Sequence, residues 1–238
     1  MIIWSRFLSP QLGDLSPVFS VRLLTRALKT ASRCESITPT TNSGILWGTS
    51  GWRSLFHLIA GSILPVAGIF LPWLVIIILA TGLMLISLGL DLIRINLPFA
   101  NRIFLRVLSP VLKKNEDRWI TGATYMLIAT VVAFLVFEQN VAVVALLFLS
   151  VGDSMAALVG SRTPGPRIVR KSPGGTLAFI VGSLLVVLVL VGSGFIHYHW
   201  GLIAGALIAA GVELAPVRLD DNLTIPLLTG TFLHFLMM

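Results

Sequence analysis

The stretch NVAVVALLFLSVGDSMAALVG, residues 140–160, decides the fold. It carries one ionisable side chain, Asp153, in an otherwise uncharged run. At about 1.5 Å per residue such a helix rises roughly 30 Å, the thickness of a bilayer's hydrocarbon core. Backbone groups in hydrocarbon must be satisfied within the segment, which an α-helix achieves. Six further apolar runs surround this one, at Leu55–Leu71, Trp73–Ile93, Trp119–Phe137, Thr176–Ile196, Gly201–Leu214 and Leu223–Met238. The expected architecture is therefore all-α, a polytopic membrane protein of about seven transmembrane helices. Gly201–Leu214 is the shortest run and crosses only with a thinned bilayer, protein shielding or a partly re-entrant path.

Composition agrees. Hydrophobic residues make up 56% of the 238-residue chain and charged ones 11%, and the mean hydropathy is +0.95, which excludes an ordinary soluble domain. Cys34 is the single cysteine, so no intrachain disulfide forms, and neither it nor the four scattered histidines has the spacing of a zinc site.

The 17 Lys and Arg residues fix an expected orientation. All of them precede the first run or fall between the second and third, fourth and fifth, or sixth and seventh. The other connections, at Pro72, Glu138–Gln139 and His197–Trp200, have none. By the positive-inside rule the N-terminus is cytoplasmic, or its equivalent, and the C-terminus lies opposite. His197, Tyr198, His199 and Trp200 read as interfacial anchors.

Two segments are expected: a basic, polar extension over 1–50 and a single transmembrane catalytic domain over 51–238. In the extension, Arg22, Arg26, Lys29 and Arg33 recur at helical spacing opposite Val21, Leu24 and Leu28. This suits a basic helix on an anionic membrane face or a disordered tail, and an organelle transit peptide has a similar composition.

Acids inside apolar runs carry the functional signal, because an Asp at a helix centre costs roughly 2.5–3.5 kcal/mol to insert. Asp153 lies about 10 Å inside its run. The Gly152, Ala156, Gly160 face beside it lets another helix approach closely, so the acid is expected to point into the bundle. It serves either as an interhelical ion pair, with Arg94 the obvious partner, or as a carboxylate that holds a metal. Glu213 ends the sixth run and Asp220, Asp221 and Asn222 open the seventh, where Asp and Asn also make ordinary helix caps. Hard oxygen ligands on several helix ends suit Mg²⁺, which shares its sites with phosphates. Asp91 and Arg94 stand three apart and read as a local ion pair.

Between the fourth and fifth runs, Arg170-Lys171-Ser172-Pro-Gly174-Gly175 leads into a helix. Glycines at a helix N-terminus present backbone N–H groups to an anion, and the basic pair adds charge. A basic loop on this face is also demanded by topology alone. Together with the acids it outlines a magnesium–phosphate site, since phosphoryl transfer consists mainly of positioning and charge neutralisation.

Asp153-Ser-Met-Ala156-Ala-Leu-Val-Gly160 followed by Arg170-Lys171-Ser172-Pro-Gly174-Gly175 resembles the nucleotide-binding signature of the CTP-dependent lipid kinases, a family that includes dolichol and polyprenol kinases, phytol kinase and CTP-dependent diacylglycerol kinase. The gap before the basic pair is nine residues rather than about eight, and Gly174 stands where an acid is common. Arg53–His57 with Gly61, Glu116–Tyr125, and Glu213 with Asp220–Pro226 resemble further family segments, so the likeness covers most of the chain from Arg53 onward.

The resemblance implies transfer of the CTP γ-phosphate to the hydroxyl of a membrane lipid alcohol (polyprenol, dolichol, phytol or diacylglycerol), with Mg²⁺. It implies metal ligands among Asp153, Asp220, Asp221 and Glu213. Nucleotide contacts fall on Gly160, Arg170, Lys171, Ser172, Gly174 and Gly175, and catalytic roles on Asp153, Lys171, His57 and Glu116. Expected partners are a lipid and a nucleotide but no nucleic acid, in a bacterial inner, plastid or endoplasmic reticulum membrane. A phosphatidate cytidylyltransferase would use the same nucleotide, but its Lys-Asp and Pro-Gly-His-Gly-Gly signature is absent. A transporter with ion-coupling acids is the non-enzymatic alternative, though the two-half repeat common in transporters is not seen.

Overall fold

The computed structural model describes residues 49–108, 120–163, 171–215 and 219–237. The readings placed on residues 1–48, Glu116 and Arg170 lie outside the described residues.

Described helices are α1 (Thr49–Phe70), α2 (Trp73–Asn96), α3 (Pro98–Leu108), α4 (Gly122–Val136), α5 (Gln139–Leu147), α6 (Ser154–Gly160), α7 (Pro173–Gly192), α8 (Trp200–Leu214) and α9 (Asp221–Met237). Each of the seven apolar runs is helical, and the protein is an all-α membrane protein. Four described helical segments are long and apolar enough to cross a bilayer: α1, α2, the continuous Gln139–Gly160 segment and α7. Helices α4 and α8, of 15 residues each, would rise only about 22 Å.

Two features depart from the sequence reading. Helix α3 is additional, and it starts where Pro98 occupies a first-turn position that needs no N–H donor. Between α5 and α6 the chain makes a π turn, Phe148–Asp153, rather than a regular α-helix. One residue more per turn rotates everything beyond it, and such turns concentrate at functional sites. Asp153 is its last residue.

The Gln139–Gly160 segment is the axis of the bundle. Of its apolar window, 72% is buried, against 11% for α2. It packs against α1, α7, α8 and α9, while α4 joins α2 to α9 on one side. Lipid provides no hydrophobic drive between helices, so close packing of small residues has to supply the attraction. Gly61 lies against Ser150, Gly68 against Phe134 and Val143, and Gly152 against the Phe179 ring. By contrast, Trp73, Leu74, Ile78, Leu85 and Ile86 on α2 are exposed, which suits a lipid-facing surface.

Candidate active site

The π turn carries Ser150 and Asp153 towards α1. Ser150 shares a 3.0 Å hydrogen bond with Ser62, and one helical turn away His57 Nε2 stands 3.8 Å from Asp153 Oδ2. Asp153 does not meet Arg94, which pairs instead with Asp91 at 2.8 Å. The interhelical partner considered from sequence is therefore excluded by geometry, while the local Asp91–Arg94 pair is present.

Lys171, just ahead of α7, forms the centre of the site. Its ammonium donates to Glu213 Oε1 on α8 at 2.7 Å and to Asp221 Oδ2 at the start of α9 at 3.3 Å. Burial by itself draws the Lys171 ammonium down. The hydrogen bond to Glu213 and the charges of Asp153, Asp221 and Glu213 outweigh burial and hold it above the ordinary lysine value. Three carboxylates from three separate helical segments thus act on one cation, at the bundle end where α6, α7, α8 and α9 begin or finish. Glu213 is only 3% exposed, and its second oxygen, Oε2, has no hydrogen-bond partner among the described residues. A carboxylate oxygen so buried is costly without a donor or a cation.

The residues ahead of α7 divide their work. Ser172 is the N-cap: its Oγ accepts from the Gly175 N–H at 3.1 Å, and Pro173 follows. Such a cap is worth about 1 kcal/mol. While the cap is intact, that N–H is not available to a phosphate. Gly160 and Gly175 let α6 and α7 meet, because a Cβ on Gly175 would lie 3.0 Å from the Ala156 carbonyl oxygen and 3.3 Å from Gly160 Cα. Gly174 faces Thr163, whose Oγ1 would lie 2.7 Å from an added Cβ. Of the expected nucleotide contacts, Ser172, Gly160 and Gly175 therefore have structural work of their own, and Lys171 is the described group that turns towards the acids.

Asp220 and Asp221 also separate. Asp220 caps α9, accepting from the Asn222 N–H at 3.0 Å through Oδ1 and from the Leu223 and Thr224 N–H groups through its carbonyl. Asp221 turns to Lys171. Asn222 is not the cap: its amide donates to the Gly122 carbonyl of α4 at 3.1 Å. Among the described residues no three carboxylates or histidines stand close enough to hold a metal unaided.

At the opposite end of α7 and α8, His199 caps α8 by accepting from the Gly201 N–H, and Tyr198 and Trp200 are exposed, as interfacial residues would be.

Three comparisons bear on this geometry. Over 162 residues the chain is 30% identical to CTP-dependent diacylglycerol kinase 1 of Schizosaccharomyces pombe, covering 62% of this chain and 74% of that protein. The chain belongs to the CTP-dependent lipid kinase family. A Rickettsia prowazekii protein, uncharacterized protein RP860, is 29% identical over 181 residues, 74% of this chain and 88% of its own. A probable chloroplastic phytol kinase of Triticum aestivum is 34% identical over 131 residues, 48% of this chain and 44% of its own. No protein-family model matches the chain. No solved structure matches it.

Sequence reading of this lipid kinase family member had named Lys171, Glu213, Asp221, Asp153 and His57 individually. It missed that Lys171 lies between Glu213 and Asp221, because contacts across 42 and 50 residues leave no local spacing signal. It also missed the π turn, for which neither Phe148 nor Asp153 carries a local mark.

Proposed function

We propose that the protein transfers the γ-phosphate of CTP to the hydroxyl of a membrane lipid alcohol. The observation that carries the reading is the Lys171 ammonium held between Glu213 and Asp221. Topology accounts for positive charge on this face but not for a buried carboxylate beside it, and a charged substrate handled next to a lipid one gives that costly group a use.

The donor set suits Mg²⁺. That ion takes one or two carboxylates and fills its remaining positions with water and phosphate oxygens, so a site lacking three converging ligands is compatible with it. Asp153 and Asp221 would hold the ion, which would supply charge neutralisation at the β- and γ-phosphates. Lys171 then turns from Asp221 to the phosphates, while its shorter contact to Glu213 keeps the ammonium anchored near them. His57 accepts the proton of the lipid hydroxyl, with Asp153 orienting its imidazole. The lipid oxygen forms its bond to Pγ as the bond from Pγ to the β,γ-bridging oxygen breaks, and CDP leaves. An acceptor moving in the bilayer reaches this depth past the apolar outer surfaces of α1 and α2. The face bearing the site is the positively charged one, which the positive-inside rule assigns to the cytoplasm or its equivalent.

Membranes containing the protein, incubated with γ-labelled CTP, Mg²⁺ and a panel of diacylglycerol, phytol, dolichol and undecaprenol, test this directly. Label is expected in a lipid monophosphate. Cytidylyl incorporation from α-labelled CTP would instead make the protein a cytidylyltransferase, and no label from either donor would end the enzymatic reading.

A further inference from the structure

Asp91 and Arg94 form a buried ion pair that the phosphoryl transfer above does not use. Each is 2% exposed. Arg94 Nε donates to Asp91 Oδ1 at 2.8 Å, and its guanidinium lies 4.6 Å from the centre of the Phe104 ring on α3. The other oxygen, Asp91 Oδ2, accepts three donors from the entry of α4: the Thr121 N–H at 2.9 Å, the Thr121 hydroxyl at 3.0 Å and the Thr124 hydroxyl at 2.7 Å. With its proton committed to Asp91, Thr124 Oγ1 accepts from the Ser87 hydroxyl at 2.6 Å.

Burying such a pair within α2 is a poor way to dock that helix on α4, since apolar residues of the same volume do as well or better. A carboxylate does what a leucine cannot: it gathers three donors at a point and thereby fixes both the rotation and the depth of the α4 entry. The next residue after Thr121 is Gly122, whose carbonyl accepts from the Asn222 amide at 3.1 Å. Asn222 is 5% exposed, and it follows Asp221, the residue that meets Lys171. The hydrogen bonds therefore run from Asp91 through Thr121 and Gly122 to Asn222, and end one residue from the active-site carboxylate.

We infer that Asp91, Thr124 and Asn222 are positioning residues, which set where Asp221 stands relative to Lys171 by fixing the entry of α4. This rests on the lipid kinase reading of the site. A merely structural role would make the contributions of Thr124 and Asn222 independent, whereas a shared line of contacts makes them non-additive.

Thr124→Val and Asn222→Leu keep side-chain size and remove the donor. In CTP-dependent phosphorylation by the full-length protein, each is expected to lower kcat about tenfold with the lipid KM unchanged, and the double variant to be no slower than the worse single one. Thr124→Ser, which keeps the hydroxyl, should stay near the wild-type rate. Binding of Mn²⁺ followed by its paramagnetic signal, without turnover, should weaken in the two single variants but not in Thr124→Ser. Multiplying losses in the double variant, a Thr124→Ser as slow as Thr124→Val, or wild-type rates in the folded single variants would each overturn the inference. A wild-type protein that phosphorylates no lipid alcohol would sink the reading beneath it, and the inference with it.

Discussion

The Lys171 ammonium meets the Glu213 carboxylate at 2.7 Å across 42 residues of sequence. Their environments are unequal, with side-chain exposures of 32% for Lys171 and 2% for Glu213. Removing the lysine therefore strands a buried acid, whereas removing the acid leaves a lysine that water and Asp221 can still serve.

Lys171→Ala should accordingly be less stable than the wild type by roughly 2–4 kcal/mol, a value below that of a fully buried broken pair because Lys171 is partly solvated. A divalent ion can replace the missing charge beside Glu213 and Asp221. Millimolar Mg²⁺ or Mn²⁺ without nucleotide is thus expected to raise the Tm of Lys171→Ala more than that of the wild type, measured in detergent or nanodiscs. Turnover should remain depressed by about 100-fold or more, because the cation proposed to serve the phosphates is gone. Equal Tm shifts in the two proteins would argue against a site that ammonium and metal share.

Glu213→Gln tests the same pair from the other side, through pH. The folded-state pKa of Lys171 is raised, so its contribution to stability is fully present below the unfolded-state value and is lost as pH rises through the folded one. A neutral amide in place of the Glu213 carboxylate would leave burial, the largest influence and a downward one, less opposed. The alkaline fall in Tm should then begin at lower pH in Glu213→Gln than in the wild type, in melting curves between about pH 8 and 11. An unchanged alkaline limb would mean that Glu213 does not hold the lysine proton.

The helices were legible because length and apolarity alone decide them in a bilayer, and all seven runs became helices. Asp153, Glu213 and Asp221 were legible because an acid in an apolar run is costly. Their partners were not. An acid at a helix end gives no sign of which distant cation it meets, and Ser172-Pro-Gly-Gly reads equally as a phosphate cradle or as a cap followed by a tight helix crossing. Asp220 and Asn222 show the same ambiguity: polar residues clustered at the start of a helix divide into a cap and a tether only when α4 is in place to accept the Asn222 amide.

The helix crossing at Gly175 has its own test. An added Cβ there would press on the Ala156 carbonyl and on Gly160 Cα, backbone atoms that cannot rotate away. Gly175→Ala should push α6 from α7, lowering Tm and moving Lys171 from the acids. Gly89→Ala on the lipid-facing side of α2 meets nothing within 4 Å among the described residues, and should be neutral or stabilising by about 0.5–1 kcal/mol. Equal melting temperatures for the two variants would remove the packing role assigned to Gly175.

The roles proposed for His57, as proton acceptor, and Asp153, as the charge that orients it, can be tested separately. The 3.8 Å separation is too long for a hydrogen bond, and catalytic contacts often tighten only when substrate arrives. Asp153→Asn keeps shape and removes charge, so it should lower kcat by about 100-fold or more while the protein still inserts and melts cooperatively. His57→Ala should cost roughly 10²–10⁴-fold in kcat, the usual worth of a positioned proton acceptor. His197→Ala, an exposed residue in the connection between α7 and α8, should leave the rate unchanged. If His57→Ala turns over within a few-fold of the wild type, the proton passes to another group and His57 acts only as a neighbour of Asp153.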